Sequence, residues 1–285
     1  MKNSPTPRYY TRSHESGFTL VELLVAMVVS LLILTAAGTV FIVARQGFQT
    51  NDDRTRTLET GRLVLDMLTR NIRMAGAPSP DLNQADFETW NLPGLAESFS
   101  GTEGGANPDS ITVSYMSDRA YNAARLGGAD CLGQAVGLGM VTNRFSISGD
   151  GQLQCLGNGV PGGGGFAGVQ PLAGPVVDMQ ITYALLDPTT ADMSKRFKQA
   201  EDLNVAVVNA DSISAGSWEF VRAVNICLDV ASFEPNTLER DPSGTLGISP
   251  GLNCRGVAFA ADGRVHRIFR TTVNVRNSTF GDNRL

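Results

Sequence analysis

The apolar segment near the N-terminus constrains this chain more than any other feature of its sequence. Residues 17–29 read GFTLVELLVAMVV, and the 22 residues from Leu23 to Ala44 carry no charge. A helix of that length is sufficient to cross the hydrocarbon core of a bilayer, which is about 30 Å thick. Glu22 lies at the beginning of the segment. Since a carboxylate in a membrane helix is costly, we expect Glu22 to have a partner or a function.

The charges around this segment predict its orientation. Lys2, Arg8 and Arg12 precede it and few basic residues follow it closely, so the positive-inside rule places the N-terminus in the cytoplasm and the rest of the chain outside the inner membrane. A cleaved secretory signal fits poorly, because its apolar core is usually about 7–15 residues long. A plain signal anchor is the simpler alternative, but it leaves Glu22 unexplained.

The hexapeptide from Gly17 to Glu22, followed by about twenty apolar residues, resembles the class III signal of type IV pilins and type II secretion pseudopilins. The resemblance implies that a membrane peptidase removes residues 1–17 by cutting after Gly17 and then methylates the new amino group of Phe18. Glu22 then lies one helical turn from the Phe18 ammonium. In a staggered helix bundle it would pair with the Phe18 ammonium of a neighbouring subunit, which offsets the cost of burying both charges.

The helix is predicted to continue beyond the apolar segment. No proline occurs between Phe18 and Ala77, and Gly76 supplies a stop signal. We therefore expect a transmembrane or filament-core helix over 18–44 and an amphipathic half of the same helix over 45–76. The apolar stripe predicted for the amphipathic half comprises Leu58, Gly61, Leu65, Leu68, Ile72 and Ala75.

The remainder of the chain, residues 77–285, predicts a β-rich globular head. Four segments have the composition of strands, namely 110–116, 175–186, 218–231 and 265–276. We also expect shorter strands within 135–156, a short helix over 198–210, and loops over 77–109, 157–174 and 232–264. These features predict an α+β chain in which an antiparallel sheet packs on the amphipathic half of the helix. The resemblance implies the same arrangement, the type IV pilin fold.

The four cysteines are Cys131, Cys155, Cys227 and Cys254. They form no C-x-x-C pattern and only two histidines accompany them, so a zinc site has too few ligands. In an exported chain the even number predicts two disulfides, for which three pairings are possible. We favour the local pairs Cys131–Cys155 and Cys227–Cys254, because each closes a loop of about 25 residues and would stabilise the fold by about 3 kcal/mol. Four free thiols are the alternative if the domain stays in the cytoplasm.

Charge and motif content argue against nucleic-acid binding and against catalysis. The formal net charge is −5, and a chain beginning at Phe18 has 20 basic and 27 acidic residues, a net charge of −7. Binding to phosphates requires a basic surface. His266 is the only histidine after the leader, and we predict it to be a solvated strand residue rather than a general base. The sequence predicts no catalytic residue, metal site or cofactor.

Two further segments resemble the PilW type of minor pilin, namely LVLDMLTRNIRMAG (63–76) and RIFRTTVNVRN (267–277). The resemblance implies a structural protein that helps to prime type IV pilus assembly and stays at the pilus tip. The implied partners are other minor pilins, the major pilin, a PilY-type tip adhesin, the prepilin peptidase and the inner-membrane assembly platform. The alternatives are a J-like minor pseudopilin of a type II secretion system, an adhesive tip module and a signal-anchored periplasmic enzyme.

Overall fold

The chain divides into two compact units, residues 1–49 and residues 50–285. The computed structural model describes residues 17–77, 98–116, 128–136, 140–159, 168–186, 205–214, 218, 221–233, 235, 251–259 and 262–275. Residues 1–16 of the predicted leader therefore lie outside the described residues. A single helix, α1 (Leu20–Met74), contributes residues to both units.

In the first unit, α1 presents apolar side chains on every side. All residues from Gly17 to Arg45 are exposed, and the helix is long and apolar enough to cross a membrane. Its few hydroxyl groups bond to its own backbone: Ser30 donates to the carbonyl of Ala26 at 2.7 Å, and Thr35 donates to that of Leu32 at 2.8 Å. These two hydroxyl groups are thus satisfied without water, as a bilayer requires.

In the second unit, one face of α1 is buried. The buried residues are Thr57, Gly61, Val64, Leu68 and Ile72. The sequence predicted Leu58 and Leu65 where the structure buries Thr57 and Val64, and this part of the prediction was wrong: Leu58 is 39% exposed and Leu65 is only partly buried. Both apolar patterns fit a helical period, so the contact with the sheets decides between them. The buried Thr57 hydroxyl is satisfied, because it donates to the carbonyl of Asp53 at 2.7 Å.

The strands of the second unit form two antiparallel sheets. The first sheet contains five strands in spatial order, namely β1 (Phe99–Thr102), β2 (Ser110–Met116), β3 (Met140–Ile147), β4 (Leu153–Gly157) and β5 (Gln170–Ala173). The second sheet contains four strands, β6 (Val176–Leu186), β7 (Val205–Val208), β8 (Val221–Ala231) and β9 (His266–Asn274), in the spatial order β7-β6-β8-β9. One core joins the sheets to the helix, with Leu68 of α1, Phe145 of β3 and Ile226 of β8 among its members.

The α+β class and the antiparallel strands are confirmed, whereas four details of the prediction were wrong. The head has two sheets, where one was expected. The described part of 198–210 contains β7 and the beginning of a 3-10 turn, Ala210–Ser212, where a helix was expected. The predicted loop over 157–174 contains β5. Strand β1 lies in the segment 77–109, which was also expected to be loop-like. The missed strands β1, β5 and β7 each have four residues and lie at sheet edges, where pairing with a neighbouring strand outweighs the local sequence pattern.

Asp109 joins the two sheets. It lies immediately before β2 and is 2% exposed. Its amide donates to the carbonyl of Met179 at 2.8 Å, and its carboxylate accepts from the amide of Ile181 at 2.7 Å. Asp109 therefore bonds to the backbone at the edge of β6, as a residue of a neighbouring strand would. Burial raises the pKa of its carboxyl group, although its bonds to the amides of Gly104 and Ile181 oppose the shift.

Candidate assembly site

The segment from Gly17 to Glu22 forms the beginning of α1. The Thr19 hydroxyl accepts a hydrogen bond from the Glu22 amide, and the Glu22 carboxylate accepts one from the Thr19 amide, each at 3.2 Å. The Leu23 amide donates to the Thr19 carbonyl at 3.2 Å. The reciprocal pair is a capping box, which satisfies two amides that a helix N-terminus leaves without partners.

The capping box gives Glu22 a role inside its own chain. The amide and the hydroxyl of Thr19 both donate to the same carboxylate oxygen, Oε2, at 3.2 Å. The other oxygen, Oε1, has no hydrogen-bond partner among the residues that the structure describes. Glu22 is therefore held at the positive end of the helix dipole, with one oxygen available to a donor from another chain.

Gly17 and Phe18 precede the cap and contact little of their own chain. Phe18 is 87% exposed. A Cβ atom added to Gly17 would meet no atom within 4 Å, so the described fold does not require glycine at this position. A requirement for glycine here would have to come from another molecule, such as a processing enzyme.

The four cysteines form the two local disulfides, Cys131–Cys155 and Cys227–Cys254, with Cα atoms 6.4 and 5.6 Å apart. The first disulfide is anchored in the core, where the Cys155 side chain is fully buried. Asp130, beside Cys131, accepts hydrogen bonds from three backbone amides at 2.8–2.9 Å, those of Leu132, Gln134 and Gly159. These bonds hold the 128–136 loop against the end of β4.

The second disulfide holds the 251–259 loop on β8. Arg255, next to Cys254, forms an ion pair with Asp178 of β6 at 2.9 Å. Its guanidinium also donates to the carbonyl of Asn107 at 2.7 Å and to that of Gly105. Because Asp178 lies in the second sheet and Asn107 precedes β2 of the first, Arg255 connects this loop to both sheets. The hydrogen bond to Asp178 raises the pKa of Arg255, which stays charged.

His266 is buried, so its prediction as a solvated residue was wrong. Its side chain is 2% exposed, with Nδ1 3.0 Å from Asp229 and Nε2 3.2 Å from Asp262. Burial lowers the pKa of His266, but the hydrogen bonds and charges of Asp229 and Asp262 outweigh burial and raise it overall. Carboxylates engage both ring nitrogens, which favours the protonated ring and does not suit a general base. The sequence pattern concealed this cluster because its members are distant along the chain or on a turn.

Among the described residues, no group of three or more His, Cys, Asp or Glu side chains is arranged to hold a metal ion. Two of the potential ligands instead pair with arginines: Asp178 with Arg255 at 2.9 Å, and Asp262 with Arg264 at 2.7 Å. The polar clusters of the head therefore connect loops to sheets, and the N-terminal segment remains the candidate functional site.

Comparisons with known proteins match both ends of the chain. The model of the prokaryotic N-terminal methylation motif matches residues 12–38, which include Gly17, Phe18 and Glu22. The model of type IV pilus-assembly protein W, PilW, matches residues 142–277, which extend from β3 past the end of β9. The chain is therefore similar to PilW over residues 142–277 and carries the N-terminal methylation motif over residues 12–38.

Two solved structures are similar to this chain. The type IV-like pilin of Thermus thermophilus is 14% identical, with 79% of this chain and 99% of that chain covered and a TM-score of 0.43. A chain of the GspK-GspI-GspJ complex from the type 2 secretion system of enterotoxigenic Escherichia coli is 13% identical, with 75% of this chain and 96% of that chain covered and a TM-score of 0.31. No curated protein matches the chain.

Thr19, which caps α1 together with Glu22, was not among the residues predicted from the sequence. The pattern Thr19-x-x-Glu22 at the start of an apolar run is a capping box, and the signal was therefore legible. The buried Asn143 had no such signal. Its side chain accepts from the Cys131 amide at 2.9 Å and donates to Asn71 of α1 at 3.0 Å, a junction of three segments that are far apart in the sequence.

Proposed function

We propose that this PilW-type pilin is a structural subunit that helps to prime type IV pilus assembly and sits at the pilus tip with other minor pilins. The observation that carries the proposal is Glu22, which lies at the capped start of an exposed apolar helix with Oε1 available. Residues 18–44 anchor the chain in the inner membrane with the N-terminus in the cytoplasm. The head is periplasmic and becomes extracellular when the filament emerges.

Processing prepares this site for assembly. The prepilin peptidase cuts after Gly17, removes residues 1–17 and methylates the amino group of Phe18. The cut leaves Thr19 and Glu22 in the mature chain, so the capping box is retained. The Phe18 ammonium of one subunit then donates to Glu22 of its neighbour. An unpaired charge in an apolar bundle is costly, so this pair selects one stagger between neighbouring helices.

The partners of the mature chain follow from this arrangement. Residues 18–44 contact the helices of other minor pilins and of the major pilin, while the head supplies lateral contacts, including those to a PilY-type tip adhesin. The inner-membrane assembly platform acts on the membrane segment. The protein itself performs no chemistry in this scheme, since it is the substrate of the peptidase.

Two substitutions of Glu22 separate its two roles. Glu22→Gln retains an acceptor for the Thr19 amide and removes the charge, whereas Glu22→Ala removes both. We expect both variants to be processed after Gly17 and both to fail in co-purification with the other minor pilins encoded nearby. Glu59→Ala changes an exposed glutamate in the second unit and serves as the matched control. Normal piliation by Glu22→Gln would contradict the pairing of charges between subunits.

The proteins that co-purify also identify the machine. Recovery of minor pilins and a PilY-type adhesin supports the pilus, whereas recovery of the I-type and K-type pseudopilins would assign the chain to a type II secretion system. The processed N-terminus must be Phe18 in either machine. A mature chain that begins at Met1 or near residue 38 would contradict both.

A further inference from the structure

Strand β9 is the longest edge strand in the part of the head that the structure describes. The strands at the four sheet edges are β1, β5, β7 and β9. Strands β1, β5 and β7 have four residues each, whereas β9 has nine residues and no proline. A long edge strand offers a row of backbone groups to which another strand can bond.

The pairing of β9 with β8 identifies the backbone groups that point outward. Val275, just past β9, donates its amide to the carbonyl of Arg222 at 2.9 Å. Hydrogen-bonded and non-bonded pairs alternate along an antiparallel ladder, so Val273, Thr271 and Phe269 also bond to β8 in this register. The amides and carbonyls that point away from β8 belong to Ile268, Arg270, Thr272 and Asn274. These outward groups have no hydrogen-bond partner among the residues that the structure describes.

Where a short neighbouring strand covers only part of β2 or β6, other segments of the head bond to the remaining backbone groups. Strand β1 pairs with only part of β2. The remainder of that edge bonds to the end of α1: the Gly76 amide donates to the Ser114 carbonyl at 2.9 Å, and the Met116 amide donates to the Ala77 carbonyl at 3.0 Å. Asp109 does the same beside β6, as described above. In the described part of the head, β9 receives no such cover.

The charge of β9 differs from that of the whole chain. Arg267 and Arg270 are exposed, and neither has an ion-pair partner among the described residues. The strand, HRIFRTTVN, contains no acidic residue, although the net charge of the chain is −5. A second copy that paired through the same edge would bring two basic strands together, and like charges on adjacent strands destabilise pairing.

We propose that β9 binds an extended acidic segment of another assembly subunit, which adds to the second sheet as a fifth strand. Backbone hydrogen bonds to Ile268, Arg270 and Thr272 supply the affinity, and carboxylates at alternate positions pair with Arg270. Phe269 contacts the helix beside Gly61, so the alternation of the strand turns Arg270 toward the opposite face, away from the helix. That the donor is an assembly subunit rests on the proposed function, whereas the strand chemistry does not.

The test uses the full-length chain in detergent micelles and two synthetic nonapeptides. The acidic peptide alternates Glu with Thr or Val, and the basic peptide has Lys in place of each Glu. By fluorescence anisotropy we expect the acidic peptide to bind at least about tenfold more tightly. Hydrogen exchange should slow at the amides of Ile268, Arg270 and Thr272 when the acidic peptide binds. The amides of Phe269 and Thr271 already bond to β8 and should not change.

Two variants locate the binding to this edge. Thr272→Pro removes an outward amide, a change that an edge strand tolerates, and should abolish the slowed exchange. Arg270→Glu should weaken binding of the acidic peptide and strengthen that of the basic one, each by about tenfold. Arg62→Glu makes the same charge change at another exposed arginine, on α1, and should bind the acidic peptide as the unmodified chain does.

Several results would overturn the proposal. These are equal binding of both peptides, binding without slowed exchange in β9, and unchanged binding by both Thr272→Pro and Arg270→Glu. A dimer that protects the same amides without peptide would assign the edge to a second copy instead. None of these results bears on cleavage after Gly17 or on the co-purification of Glu22 variants, so the proposed function is tested separately.

Discussion

The two parts of α1 belong to one helix and differ in what covers their apolar side chains. Every residue from Gly17 to Arg45 is exposed, including a nearly unbroken set of large apolar side chains. In the second unit, Thr57, Gly61 and Leu68 lie on a buried face. The apolar residues of the first part require another apolar phase, either lipid or neighbouring helices, whereas those of the second are satisfied by the chain's own sheets.

Two glycines of the chain illustrate the same difference. A Cβ atom on Gly17 would meet nothing within 4 Å, whereas one on Gly61 would overlap the ring of Phe269. The fold of the head therefore requires glycine at 61 and tolerates other residues at 17. A requirement for glycine at 17 would have to come from another molecule. The difference between the two glycines predicts opposite results for matched substitutions.

The largest effect is expected at Gly17. Gly17→Val should abolish cleavage, because the prepilin peptidase requires glycine at this site in our proposal, and should leave the thermal unfolding of the head unchanged. Intact mass spectrometry of the protein from cells that express the peptidase measures the outcome. Gly38→Val, also in open space, is the control and should be processed. Efficient processing of Gly17→Val would contradict the proposed site.

Truncation of a leucine should separate the buried face of α1 from its exposed face. Leu68 is fully buried and Leu63 is 48% exposed. We expect Leu68→Ala to lower the free energy of unfolding of the head by about 2–5 kcal/mol. Leu63→Ala should change it by less than about 1 kcal/mol. Denaturant unfolding in detergent, followed by tryptophan fluorescence, provides both values. Equal losses would show that Leu68 does not pack as described.

Gly61→Ala and Gly47→Ala should act in opposite directions. The methyl group at 61 has to displace Phe269, which we expect to destabilise the head by about 1–3 kcal/mol. Gly47 lies in open space, so alanine there should strengthen the helix by up to about 1 kcal/mol. The same denaturation experiment measures both changes, and a stabilising Gly61→Ala would contradict the contact with Phe269.

The second unit should also have a stability that depends on pH. The pKa of His266 is raised in the folded head, so its stabilising contribution is complete below about pH 6.5, the unfolded pKa, and is lost as the pH rises through the folded pKa. The pKa of Asp262 is lowered: burial raises it, but Arg264 and His266 outweigh burial. Its contribution is lost only in acid. We expect unfolding to become easier as the pH rises above about 6.5, and His266→Gln to flatten this slope. An unchanged slope in the variant would remove His266 as the cause.

The smallest effect is expected at the cap. Thr19→Ala should weaken the start of α1 by about 1 kcal/mol, seen as faster hydrogen exchange at the amide of Glu22. Thr19→Ser keeps the hydroxyl and should exchange at the original rate. Equal exchange in the two variants would indicate that the hydroxyl does not cap the helix.

Much of this fold was predictable because its signals are local. A 3.6-residue period, the absence of proline and long alternating segments predicted the helix and the strands β2, β6, β8 and β9. The short strands β1, β5 and β7 were missed because four residues carry too little pattern. The position of His266 was mistaken because alternation places a residue on a face of the sheet but does not say what covers that face. Here Phe259 covers it, with its ring centroid 4.8 Å from that of the imidazole.

The sequence by itself determined the long apolar helix, the N-terminal methylation motif over residues 12–38 and the helical position of Glu22, since each depends on neighbours within one or two helical turns. Tertiary structure alone decided which face of α1 is buried, how Asp109 joins two sheets, and which long strand lies at a sheet edge in the described part of the head. These features depend on contacts between residues that are distant in sequence, such as Gly61 with Phe269 and Arg255 with Asp178, and no local period encodes such contacts.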